Sequence, residues 1–310
     1  MRAGRVSLRR SGVRIFTCSV YPDLTRVWFR VLSRTFEGSL PPTLIFDCGG
    51  GLRPDRFPGA EIRRVPNWDH GRKIDMAMEI LAGQDPVLIV DDDAFLLSRA
   101  IIDRGLDHLA SDEHAAAYTF HCRDWWQLPA AGALHVPMGS YALLVKPDVI
   151  RREGLSFRTV KTADPAIRNG SGYWDTADYC QKDLLERGYA IQYAPETDRE
   201  EMPTFFGTSG GFLTFARRSI LTRRFVRRWS WRRTAQSVVS DGYSFQRGCS
   251  VTAVIDLHRR LTSQEPVFGD WYEEPALRSH AAALPSSDTR EKLLSAADRI
   301  FRIRDRIVTS

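Results

Sequence analysis

Residues Asp85-Pro86-Val87-Leu88-Ile89-Val90-Asp91-Asp92-Asp93-Ala94-Phe95 decide how this chain is read. The run Val87-Leu88-Ile89-Val90 is short, β-branched and bounded by Pro86, the pattern of a buried strand. Three consecutive carboxylates close it. In open α/β sheets, ligands gather beyond the carboxyl ends of the strands. Adjacent acids in a partly dry site repel one another unless a cation lies between them. On an extended backbone Asp91 and Asp93 project to the same side, so one could hold a hard divalent ion, Mn2+ or Mg2+, and the other steady it. A solvated acidic turn is the alternative reading of such a triplet.

Working outward, strands and helices alternate. Strand-like runs at 13–20, 43–46 and 62–65 precede the acid-tipped one, with helical spacing over 23–36 and within 67–81. Beyond the acids, helices are expected at 100–109, 147–153 and 176–187, and strands at 115–120, 140–145 and 190–194. This alternation predicts a mostly parallel central sheet with right-handed crossovers. Residues 158–172 read as a polar, irregular loop and 129–137 as a loop rich in Ala, Gly and Pro. After about residue 235 the pattern weakens until a terminal helix at 289–303. The expected organisation is a basic extension over 1–12, a core over 13–215, and a C-terminal helical elaboration over 216–310 packed on the same domain.

Composition excludes several classes. With 43% hydrophobic and 26% charged residues in 310, the chain is an ordinary globular protein. It has no apolar run of the roughly 18 residues that a spanning helix needs. The five cysteines include no CxxC pair, so neither a disulfide framework nor a zinc knuckle is indicated, and a cytoplasmic location is expected. The net charge of +6 is carried largely by arginine. The pairs Arg217-Arg218, Arg223-Arg224, Arg227-Arg228 and Arg232-Arg233 would suit phosphates, nucleic acid or anionic headgroups, the last implying peripheral contact at the inner membrane face. A solvated helix face fits them equally well.

Three further stretches could carry chemistry. Asp47 ends the second strand before Gly49-Gly50-Gly51; its carboxylate could accept from a base or sugar hydroxyl, or simply close a turn. Asn67-Trp68-Asp69-His70-Gly71-Arg72-Lys73 opens a helix, where backbone N–H groups and basic side chains favour a phosphate, although Asn67 or Asp69 could be only an N-cap. Tyr173-Trp174-Asp175-Thr176-Ala177-Asp178 leads into another helix. Asp175 there is either an N-cap or a general base for an acceptor hydroxyl, with Asp178 as the alternative base or its orienter. Tyr173 and Trp174 offer a sugar-stacking surface for the acceptor.

The ordered set Thr17-Cys18-Ser19-Val20-Tyr21-Pro22, Phe46-Asp47-Cys48-Gly49-Gly50, His70-Gly71, Val90-Asp91-Asp92-Asp93 and Trp174-Asp175-Thr176-Ala177-Asp178 resembles the GT-A nucleotide-sugar glycosyltransferases. Within them it is most similar to the broad inverting group of bacterial polysaccharide and natural-product enzymes, over residues 13–215. The resemblance implies a Rossmann-type α/β/α sandwich and a nucleotide-sugar donor, with UDP-sugars first among those to test. It also implies Mn2+ or Mg2+, and an acceptor hydroxyl on a small molecule, a glycan or a lipid-linked sugar. It assigns Thr17, Ser19, Asp47 and Asp91 to the donor, Asp93 to the metal and Asp175 to the acceptor proton; His70, Lys73 and Asp92 are read as further donor-side residues, and Asp91 as a second metal ligand. Two departures stand out. Trp174 occupies a position that is often acidic in the family, and the segment 205–211 lacks the family's frequent late histidine, leaving only the distant His258. A nucleotidyltransferase on a related sheet, or a non-enzymatic basic protein binding nucleic acid, are the rival readings.

Overall fold

The structure is a computed structural model that describes residues 12–81, 83, 85–121, 127–161, 173–205, 207–208, 242–266 and 272–310. The paired arginines between 217 and 233, the basic N-terminal residues and most of the 158–172 loop lie outside the described residues.

Its strands are β1 (Arg14–Ser19), β2 (Thr43–Asp47), β3 (Ala60–Arg64), β4 (Val87–Val90), β5 (Ala115–Thr119), β6 (Leu128–Ala130), β7 (Ala133–His135), β8 (Ala142–Val145), β9 (Val160–Lys161), β10 (Tyr173–Trp174) and β11 (Ala190–Tyr193). The helices are α1 (Pro22–Thr35), α2 (His70–Ile80), α3 (Arg99–Ser111), α4 (Pro147–Arg152), α5 (Asp178–Glu186), α6 (Glu196–Glu200), α7 (Gly242–Thr262), α8 (Glu274–Ala282) and α9 (Ser287–Thr309). A single turn of 3₁₀ helix, Pro54–Arg56, precedes β3.

Seven strands form one sheet in the order β3-β2-β1-β4-β8-β5-β11. The pairs β1·β2, β2·β3, β1·β4 and β5·β11 are parallel, and β8 alone runs antiparallel to its neighbours β4 and β5. This is the mostly parallel sheet predicted by the alternation of elements, in the α/β/α sandwich that the resemblance implies, with helices at the C-terminal end of the chain. The hairpin β6–β7 and the short pair β9–β10 lie outside the main sheet. That hairpin occupies the stretch read from sequence as an irregular loop; Ala131 and Gly132 make its tight turn, both at positive φ.

Side-chain alternation separates the two faces of the sheet. Ile15, Ile45, Leu88 and Val90 join Leu24, Val27, Trp28 and the C-terminal helices in one core. Phe16, Leu44, Phe46, Val87 and Ile89 join Ile74, Met78, Ile150 and Leu184 of α2, α4 and α5 in the other. Residues of one parity therefore face α1, and the intervening residues face α2. This division determines which of the strand-end side chains can meet.

Helix α7 is the largest element not foreseen from sequence. Phe245, Cys249, Val251, Ala253, Val254, Leu257 and His258 are all buried, and the helix packs between α1 and α9. A helix buried on every side shows no amphipathic period.

Candidate functional site

The site forms where β1, β2 and β4 end. After β4 the chain turns: the Asp91 N–H donates to Tyr141 O, and the Ala94 N–H donates back to Asp91 O at 3.0 Å. Residues 201–205 then run antiparallel beside the acidic segment. Phe95 N–H donates to Pro203 O, Leu97 N–H to Glu201 O and Phe205 N–H to Asp93 O. This lacing brings the Thr208 backbone N–H to 3.2 Å from Asp93 Oδ2. The late segment without a histidine thus reaches Asp93 through its backbone. His258 lies elsewhere, fully buried with Nε2 at 3.4 Å from Asp23 Oδ1 on the α1 side.

The acid triplet splits according to the parity of the strand. Asp92 points into the α1 side, 3% exposed, and its Oδ2 accepts from Thr25 Oγ1 at 2.7 Å. The Thr25 hydroxyl also meets Ser19 Oγ at 2.5 Å. Burial pushes the Asp92 carboxyl well above the usual range, and the Thr25 bond partly counters it. Asp92 and Ser19 therefore belong to an internal polar network that fastens α1 to the sheet, a correction to the donor contacts expected of them. Thr17 is likewise 1% exposed and on the same side as Ile15, its hydroxyl buried without a hydrogen-bond partner among the described residues.

Asp91, partly exposed, and Asp93, buried, are the other two members of the triplet. Burial, opposed by Lys73, raises the Asp91 carboxyl to about 6. Burial and then the nearby Asp91 charge raise Asp93 to about 7. Each carboxylate is thus easier to ionise once a cation is beside it. His70, the first residue of α2, sets Nε2 at 3.5 Å from Asp91 Oδ1. Burial and then Lys73 lower this imidazole to about 4 against the opposing pull of Asp69, Asp175 and Asp93, so it is neutral at pH 7. That nitrogen has no hydrogen-bond partner among the described residues. Lys73, 5% exposed, donates from Nζ to Asn67 Oδ1 at 3.2 Å. Asp69 resolves as the N-cap, accepting from the Arg72 N–H at 3.2 Å.

Cys18 and Cys48 complete this wall. Both fall on the α2 side of the sheet, and Lys73 acts on both thiols. The influence of each thiol on the other raises Cys18 and, with Lys73, brings Cys48 to about 7; the Cys48 thiol itself donates to Phe46 O at 3.6 Å. Neither cysteine was singled out from sequence, although each shares the parity of Phe16 and Phe46, which marked the face. Asp47 has a different part. Its Oδ1 accepts from the Gly50 and Gly51 N–H groups and its Oδ2 from Leu52 N–H, at 2.6, 3.2 and 3.2 Å. The turn reading of Asp47 is the one these bonds support: the carboxylate shapes the glycine loop, and Gly50 takes φ +70° within it.

Asp175 reaches the same region through a second set of contacts. Asp75 of α2 accepts from Ser156 Oγ at 2.7 Å and Phe157 N–H at 2.8 Å, and pairs with Arg158 at 3.2 Å. Asp69 accepts from Thr159 Oγ1 at 2.9 Å. Phe157 O in turn accepts from the Ala177 N–H at 3.1 Å. Gly71 sits so close beneath this segment that a Cβ would lie 2.2 Å from Phe157 O. The start of α2, residues 156–159 and the start of α5 are therefore one unit. Asp178, fully buried, accepts the Asp175 N–H at 2.9 Å, which makes it the residue that fixes the Asp175 backbone. Asp175 itself is exposed, with Oδ1 accepting from Thr176 N–H at 2.8 Å. Trp174 is only 5% exposed and packs with Leu128 and Ala130 of the hairpin, so the stacking surface expected of it is buried. The side chain of Tyr173 lies outside the described residues.

Comparison with known proteins gives a likeness of structure alone. No protein-family model matches the chain, and no curated protein matches it. Among solved structures, it is similar to the mannosyltransferase of Pyrobaculum calidifontis in complex with GDP-Man and Mn2+, over 95% of this chain and 88% of that one, at 13% identity and a TM-score of 0.45. It is also similar to glucosyl-3-phosphoglycerate synthase of Mycobacterium tuberculosis in complex with Mn2+, UDP and phosphoglyceric acid, over 59% and 68% of the two chains at 10% identity and a TM-score of 0.40. A 4-diphosphocytidyl-2C-methyl-D-erythritol synthase matches over 61% and 91%, at 10% identity and a TM-score of 0.36. Among the described residues, no helix is long and apolar enough to cross a membrane.

Proposed function

We propose that this chain is a divalent-metal-dependent glycosyltransferase that moves a sugar from a nucleotide-sugar donor to an acceptor hydroxyl with inversion at the anomeric carbon. The observation that carries the reading is the pair Asp91 and Asp93, desolvated at the end of β4, facing the neutral His70 and the α2–α5 unit that bears Asp175. Two carboxyls held with raised pKa values and few hydrogen bonds suit a cation better than they suit water. No group of three His, Cys, Asp or Glu side chains among the described residues converges tightly enough to hold a metal by itself. Mn2+ or Mg2+ would take Asp93 and Asp91 from this chain, with donor phosphate oxygens and water completing its shell. When bound, the ion would offset the charge that develops on the departing nucleoside diphosphate.

The protein's own part in the reaction is positioning and proton transfer. His70, uncharged, is able to donate or accept a hydrogen bond at Nε2 beside the donor. Lys73 supplies a cation near the same wall, where phosphate charge would be placed. Asp175, exposed at the opposite edge, takes the proton of the acceptor hydroxyl as its oxygen attacks the anomeric carbon from the face opposite the leaving group. Asp178 holds the Asp175 backbone and does not exchange the proton, because it is fully buried.

The test is a panel of UDP-, GDP- and dTDP-sugars with Mn2+ or Mg2+, following release of the nucleoside diphosphate by chromatography. Metal-dependent turnover with one donor, lost in Asp93→Ala, supports the reading. Absence of any metal uptake with every donor supplied overturns it.

A further inference from the structure

We infer that Arg64 reads the nucleobase of the donor, and that the base it selects is guanine. The inference rests on the nucleotide-sugar reading of the site and names which nucleotide that site takes. Asp91 and Asp93 follow β4, the middle strand, with β8, β5 and β11 on one side and β1, β2 and β3 on the other. The first side carries α5, which packs on β11 and follows the Asp175 turn. The other side is all parallel, the mononucleotide-binding half of a doubly wound sheet. With the diphosphate held beyond β4, a nucleoside laid across that half meets the turn after β2, two strand spacings or about 10 Å away.

Arg64 is the polar side chain placed at that turn. It is the register partner of Asp47 at the end of β3, so the two side chains leave the sheet on the same side. The strands stay paired beyond it, where the Val65 N–H donates to Asp47 O at 3.2 Å. The Arg64 guanidinium lies broadside on the Gly50 backbone: a Cβ on Gly50 would be 2.6, 3.0 and 3.1 Å from Arg64 Nη2, Cζ and Nε. A side chain on the turn would push it away. Other guanidiniums near this corner are engaged. Arg53 and Arg56 pair with Asp55 at 3.1 and 3.6 Å, Arg63 pairs with Glu61 at 2.5 Å, and Arg72 lies over the Trp68 ring at 4.1 Å. Arg64 is exposed and makes no side-chain hydrogen bond or ion pair among the described residues.

The chemistry of the corner selects the base. A guanidinium offers donors only, in a planar fork. Guanine presents two adjacent acceptors, O6 and N7, on an edge that carries no donor, and the fork meets both at once. Uracil and thymine separate their two carbonyl oxygens by the N3–H, which needs an acceptor in turn. Asp47 does not supply one: it is 5% exposed and shared among the Gly50, Gly51 and Leu52 N–H groups. Adenine sets its N6 amino donor beside N7. Cytosine has adjacent acceptors in O2 and N3, but with the N4 amino donor on the same edge. One bidentate pair of this kind favours its base by about tenfold to a hundredfold.

The test is calorimetry of the full chain with Mn2+ and, in turn, GDP, UDP, dTDP, CDP and 7-deaza-GDP, which lacks the N7 acceptor. GDP should bind about ten- to a hundredfold more tightly than UDP, dTDP and CDP, and 7-deaza-GDP should lose most of that advantage. Arg64→Lys keeps the positive charge without the fork. It should bring GDP affinity down to that of UDP while leaving UDP affinity near the parent's, and Arg64→Ala should likewise hold the GDP to UDP ratio near one. Both variants should keep the parent Tm, because the side chain is exposed. Equal binding of GDP and UDP by the parent, tighter binding of CDP, or full affinity for 7-deaza-GDP overturns the inference. So does a GDP preference that survives in both variants. Each of those outcomes leaves the nucleotide-sugar reading standing. If none of the diphosphates binds with Mn2+, that reading itself falls and takes the assignment of Arg64 with it.

Discussion

If Asp91 and Asp93 hold the proposed metal, its uptake releases protons, and the amount follows from their surroundings. In the metal-free protein, burial holds Asp91 at about 6, and burial together with the Asp91 charge holds Asp93 at about 7. Treated as a pair, they carry about one proton between them at pH 6.5, roughly three quarters of it on Asp93, and nearly two at pH 5. A hard cation binds only the ionised form, so the apparent Mn2+ affinity, measured with saturating UDP or GDP, should fall by at most about a thousandfold from pH 8 to pH 5. Stability of the metal-free protein runs in the other sense. Both folded values lie above the unfolded value of about 3.9, so the folded state binds the extra protons, and this contribution is lost as pH rises through 6 and 7. Mn2+ should reverse the trend, and the gap in Tm between metal-loaded and metal-free protein should widen with pH. Calorimetry in two buffers of different ionisation enthalpy reads proton release directly. Mn2+ binding with no proton release at pH 6.5, or binding of equal strength by Asp93→Asn, would refute the placement of the ion.

Further outcomes follow from the same geometry. Asp93→Ala should abolish turnover while leaving the circular dichroism spectrum and Tm close to those of the parent, because it gives up the bond from the Thr208 N–H and relieves a repulsion with Asp91; retained transfer would remove the metal role. Asp175→Asn should keep donor affinity and lose about 10²- to 10⁴-fold in kcat, the usual share of a general base; an active Asn variant would point to another base. Gly71→Ala should cost about 1–3 kcal/mol by overpacking, since the new methyl would press on Phe157 O and Arg158 Cα at 2.2 and 2.6 Å. An unchanged Tm for Gly71→Ala would show that the contact yields freely.

Much of the sheet was legible because its elements carry their own periods. The runs at 13–20, 87–90, 115–120 and 190–194 contain the strands found there, β2 extends one residue past 43–46, α1 begins one residue before the expected 23–36, and α2 falls within 67–81. Helix α7 was hidden because its buried surface goes all round, and the β6–β7 hairpin because its strands span three residues each. For the candidate site, the acid triplet does lie just beyond β4, yet sequence alone did not sort its members. Strand parity does: Asp92 goes with Val90 to the α1 side, whereas Cys18 goes with Phe16 to the α2 side. Thr17 and Ser19 were chosen by motif order, which carries no facing information. The buried position of Trp174 depends on the hairpin, a contact between segments that no local pattern encodes.

The residue that most repays a test of the α2–α5 unit is Asp75, which touches none of the proposed reactants. It holds Ser156, Phe157 and Arg158 by three contacts, and Phe157 O holds the Ala177 N–H just ahead of α5. Asp75→Ala leaves the Phe157 N–H without its acceptor, a penalty of about 1–3 kcal/mol, and loosens a hydrogen-bonded route from α2 to the Asp175 turn. If that route places the base, kcat should fall while KM for the donor stays near its parent value, because Asp91, Asp93 and His70 are untouched. Asp75→Asn keeps an oxygen for the Phe157 N–H and should recover most of kcat, although it gives up the ion pair with Arg158. A merely structural Asp75 predicts a different pattern: a lower Tm in both variants, with kcat of the folded fraction unaltered. That pattern would place the control of Asp175 in its bond to Asp178 alone.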